Sequence, residues 1–386
     1  SYTDAYFETM AGLTTTGSTI IVGLDQAPRG ILLWRALLHW LGGMGIVVMA
    51  VAVLPLLRVG GMQLFRTESS DRSEKVLPSP VQIARAVGVV YVGLSAVCAL
   101  AYHVAGMTVF DAVVHSMATL STGGFSSHDA SFAYFKSPAL ELIATGFMIA
   151  GGLPFVLFIR ATEGRPGDLW RDQQVRAFLS IIAAVALMLA LWLALTGQKP
   201  FWEGLRLALF NVTSIITTTG FTNIDYGAWG GFALVVILLV TFFGGCTGGT
   251  TGGIKIYRLQ VIWLTFRQQV SNLVHPHGVF PLRYNRAPLP ADIPGSVMAF
   301  TLAYVSVWVL LAIALAALGL DFLTSVSGAA TALGNVGPGL GPIIGPVGNF
   351  APLPDAAKWL LSLGMVLGRL ELLTLLVLLA PRFWRG

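Results

Sequence analysis

Charge is what this chain has least of. Of its 386 residues, 11% are Asp, Glu, Lys or Arg, where an ordinary soluble domain carries about 25%. A surface that poor in charge cannot keep a domain of this size in water, so a soluble globular class is excluded. Cysteine is almost missing too. Cys98 and Cys246 both fall in apolar runs; they define no disulfide framework and read as buried bystanders. The six histidines are scattered, and only His275 and His277 lie close together, with no partner ligands at metal spacing, which speaks against a metal centre. No dinucleotide fingerprint occurs. No signal peptide opens the chain: "SYTDAYFETM" has neither an initiator Met nor a basic region ahead of an apolar one, so the chain reads as starting inside a longer protein.

What is present is hydrophobic sequence. The hydrophobic fraction is 55% and the mean hydropathy +0.77. Apolar runs near 31–57, 82–106, 138–159, 175–197, 231–257, 295–320 and 356–381 each reach the roughly 20 residues that cross a bilayer as helix. With the C-terminus cytoplasmic, sixteen Lys and Arg fall on the cytoplasmic side and five on the other, with Arg35 and Arg369 inside spans. The net charge of +5 is then a topology signal under the positive-inside rule, and nucleic acid is not an expected partner.

Four polar stretches interrupt this pattern: "GLTTTGSTI" at 12–20, "TLSTGGFSS" at 119–127, "IITTTGFTN" at 215–223 and "ALGNVGPGL" at 332–340. Aligning Gly17, Gly123, Gly220 and Gly337 gives spacings of 106, 97 and 117 residues. A short helix-like segment precedes each, too short to span and read as a re-entrant half-helix. The expected fold is therefore an all-α polytopic membrane protein of four pseudo-repeats, each helix, pore half-helix, filter loop, helix, around one central pore. Their bounds are 1–65 (outer helix missing), 78–162, 170–270 and 290–386. Non-helical backbone at membrane depth is tolerated only where it is buried in protein or lines a watery path. Four such loops around an axis would present rings of carbonyl oxygens, which can replace the water shell of a cation. Glycine in each loop permits dihedrals that aim a carbonyl inward, and each half-helix points its partly negative C-terminus at the axis.

Two further features stand apart. Gly244, Gly245, Gly248, Gly249, Gly252 and Gly253 crowd the third unit's inner helix within "FFGGCTGGTTGGIK", and at roughly 1 kcal/mol each against Ala the helix should break there. The stretch fails the phosphate-loop pattern, because Ile254 intervenes before Lys255 and Ile256 follows it. Arg369 lies inside an otherwise apolar span, where insertion costs roughly 2.5–3.5 kcal/mol. It should face the bundle interior, with the carbonyls of the broken Gly segment as better partners than Glu371. A hydrolase alternative rests on Ser126, His128 and Asp129 of "FSSHDAS", neighbours in sequence and so poorly placed for a relay.

On "TTTGST", "STGGFS", "TTTGFTN", "GNVGPGLG", the Gly-rich stretch and "LGRLELLTLLVLLAPRFWR", the whole chain resembles the Trk/Ktr/HKT superfamily of potassium transporters, closest to the bacterial TrkH/TrkG pore subunits. The resemblance implies conduction of potassium and rubidium through filter carbonyls of Thr15, Thr16, Gly17, Ser121, Thr122, Gly123, Thr218, Thr219, Gly220, Asn335, Val336 and Gly337. A serine at the first-unit glycine accompanies sodium transport in plant relatives, so Gly17 argues for potassium. The resemblance further implies that residues 244–253 form an intramembrane loop obstructing the pore below the filter. It implies a homodimer in the bacterial inner membrane, seated on a cytosolic TrkA-like nucleotide-binding ring, with K+ as cargo and no organic cofactor in this chain. A sodium- or proton-coupled symporter of the same superfamily is the alternative.

Overall fold

The computed structural model describes residues 1–49, 80–285, 287–370 and 372. Its described helices are, in chain order, α1 (Tyr2–Leu13), α2 (Arg29–Val48), α3 (Pro80–Val104), α4 (Val109–Leu120), α5 (Pro138–Gly152), α6 (Phe155–Thr162), α7 (Gly167–Arg171), α8 (Gln173–Leu195), α9 (Phe201–Ile216), α10 (Gly231–Val240), α11 (Ile256–Val274), α12 (Asp292–Ala317), α13 (Phe322–Gly334) and α14 (Asp355–Arg369). Of these, α2, α3, α8 and α12 are long and apolar enough to cross a bilayer singly.

The expected span near 138–159 is a corrected case. It is two helices, α5 and α6, bent by 97° at their break. Pro154 cannot continue the ladder, and the carbonyls of Gly151 and Gly152 are turned to accept from Thr250 N and Cys246 N, both at 2.9 Å. The run near 231–257 is broken as the glycines dictate, α10 ending at Val240 and α11 starting at Ile256. The part of the first expected span beyond Met49 and that of the last beyond Leu370, Leu372 excepted, lie outside the described residues, and Glu371 is among them.

The half-helices are α1, α4, α9 and α13. Three begin on a side-chain cap: Ser1 accepts from Asp4 N and Thr108 from Asp111 N, both at 3.1 Å, and Asp321 from Thr324 N at 3.0 Å. Such caps are worth about 1 kcal/mol each and fix where a short helix starts. One apolar core holds α8, α9 and α10 together, and a second joins α2 through α6. A third sets Phe7 and Ala11 of α1 against Leu311, Leu315, Ala329, Leu361 and Met365 of α12, α13 and α14. The first half-helix therefore packs on the last unit, and the bundle closes into a circle.

Candidate ion-conduction site

Each half-helix runs into a loop built on one backbone plan. Just past the helix end a residue is left-handed: Thr15 (φ 51°), Thr122 (51°), Thr218 (55°) and Asn335 (55°). Two residues later a glycine is left-handed as well: Gly17 (81°), Gly124 (83°), Gly220 (80°) and Gly337 (108°). A residue with a Cβ pays roughly 1–2 kcal/mol in that region, and strain of this kind persists only where the surroundings over-determine it. The plan corrects the sequence alignment in the second loop by one residue. Gly124, not Gly123, stands with Gly17, Gly220 and Gly337, while Ser121 caps α4 as Thr14 and Thr217 cap α1 and α9. Consecutive glycines in "STGG" leave the turn position undetermined until tertiary contacts choose it.

The four left-handed glycines form a closed cycle. A Cβ on Gly17 would strike the carbonyl oxygen of Gly123; one on Gly124, that of Thr219; one on Gly220, that of Val336; one on Gly337, that of Thr16. Each loop thus packs its glycine against the preceding residue of the next loop's glycine, in the order one, two, three, four, one. The loops are tied further by Ser18 Oγ donating to Gly337 O and by Asn335 Nδ2 donating to Thr16 Oγ1 and Met365 O, all at 2.9 Å. Thr15, Thr16, Ser121, Thr122, Thr218, Thr219, Asn335 and Val336 are all buried. Four half-helix C-termini and a ring of main-chain oxygens converge here, an arrangement whose partial charges suit a cation.

Residues that the sequence left without a role brace this ring. Arg35 of α2 donates from Nε to Glu8 Oε1 at 2.8 Å, from Nη1 to Ser126 O at 2.9 Å and from Nη2 to Thr19 Oγ1 at 3.1 Å, with its guanidinium 3.9 Å from the Phe125 ring centre. Glu8 also accepts from Ile20 N at 2.9 Å. The signal was available, since Arg35 is as anomalous within a span as Arg369. Two more ion pairs join neighbouring units: Glu141 of α5 with Arg206 of α9, and Lys358 of α14 with Asp4 of α1 at 2.7 Å.

Residues 241–255 form a compact insertion between α10 and α11. Gly244 N donates to Ile254 O at 2.8 Å and Ile254 N to Phe242 O at 2.9 Å. Its tip reaches the break between α5 and α6, where Phe155 N donates to Gly248 O at 3.0 Å. Gly252 N donates to Thr218 Oγ1 at 2.7 Å, and a Cβ on Gly252 would strike Gly334 O. Thr250 Oγ1 donates to Leu120 O at 3.0 Å, while Thr250 O accepts from Arg369 Nη1 at 2.9 Å. Gly249, Gly252, Gly253, Lys255, Arg258 and Arg369 line one shared cavity. Five of the six glycines meet a neighbour at once if given a Cβ, and Gly248, like Gly253, is left-handed (φ 85° and 62°). They are needed for close approach of backbone to backbone.

Ser126, His128 and Asp129 do not form a relay. Ser126 Oγ pairs with His115 Nε2 at 2.9 Å, His128 Nδ1 with Asp25 Oδ1 at 2.5 Å, and Asp129 accepts from Gly23 N and Leu24 N at 3.1 Å. The His128 contact holds the Asp25 carboxyl below its usual range. These residues staple the outer loop of the first unit to that of the second.

Residues 1–385 match the family described as TrkH, Cation transport protein. The chain is 52% identical to the Trk system potassium uptake protein TrkI of Halomonas elongata over 386 residues, which is all of this chain and 78% of that one. It is 42% identical to the Trk system potassium uptake protein TrkH of Vibrio parahaemolyticus, over all of this chain and 80% of that one. The crystal structure of the potassium transporter TrkH from Vibrio parahaemolyticus superposes with a TM-score of 0.90 at 40% identity, covering 100% of this chain and 79% of that chain. A ring of four left-handed loops, a glycine insertion packed against it and this similarity along the full length have one reading: the chain belongs to the TrkH family of cation transport proteins.

Proposed function

We propose that the chain is the pore-forming subunit of a potassium uptake system, conducting K+ and Rb+ through the ring of loops as a selectivity filter. The observation that carries this reading is the closed cycle of Gly17, Gly124, Gly220 and Gly337. A main-chain ring with no side-chain carboxylate in it offers neutral oxygens, which suit a weakly hydrated monovalent cation that must bind and leave again. The relatives above are potassium uptake proteins by name, which agrees. Four units, 1–65, 78–162, 170–270 and 290–386, then each supply one loop. The filter oxygens are those of Thr15 to Gly17, Ser121 to Gly124, Thr218 to Gly220 and Asn335 to Gly337.

Beneath the filter, residues 244–253 act as a gate held across the path by the bond from Arg369 to Thr250 O. The protein works as a homodimer in a bacterial inner membrane with its C-terminus cytoplasmic, and a cytosolic TrkA-like nucleotide-binding ring drives the gate. The test is rubidium uptake into proteoliposomes against a sodium competitor, with and without that partner. Flux with rubidium strongly preferred over sodium is expected. An absence of monovalent cation flux in reconstituted, folded protein overturns the reading.

A further inference from the structure

His39 stands out among the buried side chains. It lies in α2, its ring fully buried and edge-on to Phe125 at 4.1 Å between ring centres. Neither Nδ1 nor Nε2 has a hydrogen-bond partner among the described residues. A neutral imidazole carries one donor and one acceptor, and leaving such groups unpaired in a dry site costs about 1–3 kcal/mol each.

Equivalent positions show that the cost is not required for folding. Gly42, Gly151 and Gly368 occupy matching places, each set against the carbonyl oxygen of the residue two before the left-handed residue of its own loop: Leu13 before Thr15, Leu120 before Thr122 and Leu333 before Asn335. Three residues before them stand His39, Met148 and Met365, all fully buried. Two units fill the site with an apolar, flexible side chain. Of these three positions, the first alone holds an aromatic heterocycle. Its ring lies so close to Gly123 that a Cβ on that glycine would land on Nδ1. Gly123 is also the residue whose carbonyl oxygen packs against Gly17 in the cycle. One side chain therefore sits behind the junction of the first and second loops. It supplies a reason why both residues of Gly123–Gly124 are glycine, although only Gly124 is left-handed.

We propose that His39 is a positioning residue of the ion filter: its rigid ring, seated behind Gly123, fixes the radial place of the second loop and thereby sets discrimination between potassium and smaller cations. The inference rests on the filter reading above. Flat five-membered rings cannot repack as a thioether does, so the loop behind which one sits cannot relax inward around a smaller ion.

The experiment compares wild type with His39→Met, the residue that two other units use, and with His39→Gln, reading rubidium uptake and sodium competition in proteoliposomes. Expected are wild-type abundance and thermal stability with a five- to tenfold loss of rubidium-over-sodium preference, smaller for His39→Gln. A His39→Met protein with wild-type preference and wild-type KM for rubidium overturns the inference and leaves the filter reading standing. Wild-type protein without flux overturns both. Should His39→Met not fold, Gly123→Ala decides: the single variant loses flux at least tenfold, and pairing it with His39→Ala restores part of it. A double variant no better than Gly123→Ala alone overturns the contact.

Discussion

Arg35 Nε and Glu8 Oε1 lie 2.8 Å apart in a pair whose side chains are 3% and 9% exposed. Its two residues come from the inner helix and the half-helix of one unit, and the same guanidinium reaches Ser126 O in the loop of the next. Removing one member of a buried pair leaves an uncompensated charge, at a cost of about 3–5 kcal/mol. Arg35→Met is therefore expected to lower the folded fraction in detergent sharply, and Arg35→Met with Glu8→Gln to recover most of it. Thermal unfolding of the three proteins measures this; a single variant as stable as wild type would show that the pair does not hold the two loops.

Filter geometry yields the second prediction. Gly124→Ser and Gly220→Ser each place a Cβ on a carbonyl oxygen of the next loop at a backbone angle that resists one. A strain of 1–2 kcal/mol at the ring corresponds to a roughly tenfold fall in rubidium-over-sodium permeability. Thr222→Ser, just beyond the third loop, should change it little. If both glycine variants keep the wild-type ratio, the carbonyl ring does not select.

Gating gives the third. Arg369→Ala removes the donor to Thr250 O, and deletion within Thr247–Gly252 shortens the insertion itself. A few kcal/mol shifts a two-state gate from mostly closed to mostly open. Basal rubidium flux should rise without the cytosolic partner, and the response to that partner should shrink. Arg369→Lys should substitute only in part, because an ammonium lacks the planar fork of donors. Unchanged or lower basal flux at normal abundance would remove the insertion as the gate.

A fourth prediction concerns acid. The Lys358 ammonium, 2.7 Å away, with the Ser1 hydroxyl, holds the Asp4 carboxyl down at about 2. Because the folded value lies below the unfolded one of about 3.9, the pair stabilises the fold above pH 4, and the contribution disappears as pH falls from 4 toward 2. Asp4 is partly exposed, so solvent screening limits it to about 1 kcal/mol or less. Melting curves of wild type and Asp4→Asn should differ at pH 6 and converge near pH 2. A difference that persists at pH 2 would assign the effect to packing of α1 on α14.

The sequence by itself determined that this is a membrane protein, that glycine-containing polar loops, three of them with threonine, recur four times after short helices, and that the third inner helix breaks at 244–253. Each of these is a local property: hydropathy over 20 residues, helix propensity, and the few backbones that Gly-rich segments prefer. The bond between Arg369 and the broken segment also followed, because a cation in an apolar span has few places to go. Tertiary structure decided the rest. Which glycine of Gly123–Gly124 turns left-handed depends on His39 behind one and Thr219 O beside the other, contacts that come from 84 and 95 residues away in the numbering. The run 138–159 read as one span and folds as two helices, because the carbonyls freed at Gly151 and Gly152 are satisfied by Thr250 and Cys246. Arg35, Glu8 and His39 acquired their places in the same way: periodicity marks a residue as buried, but only packing brings its partner.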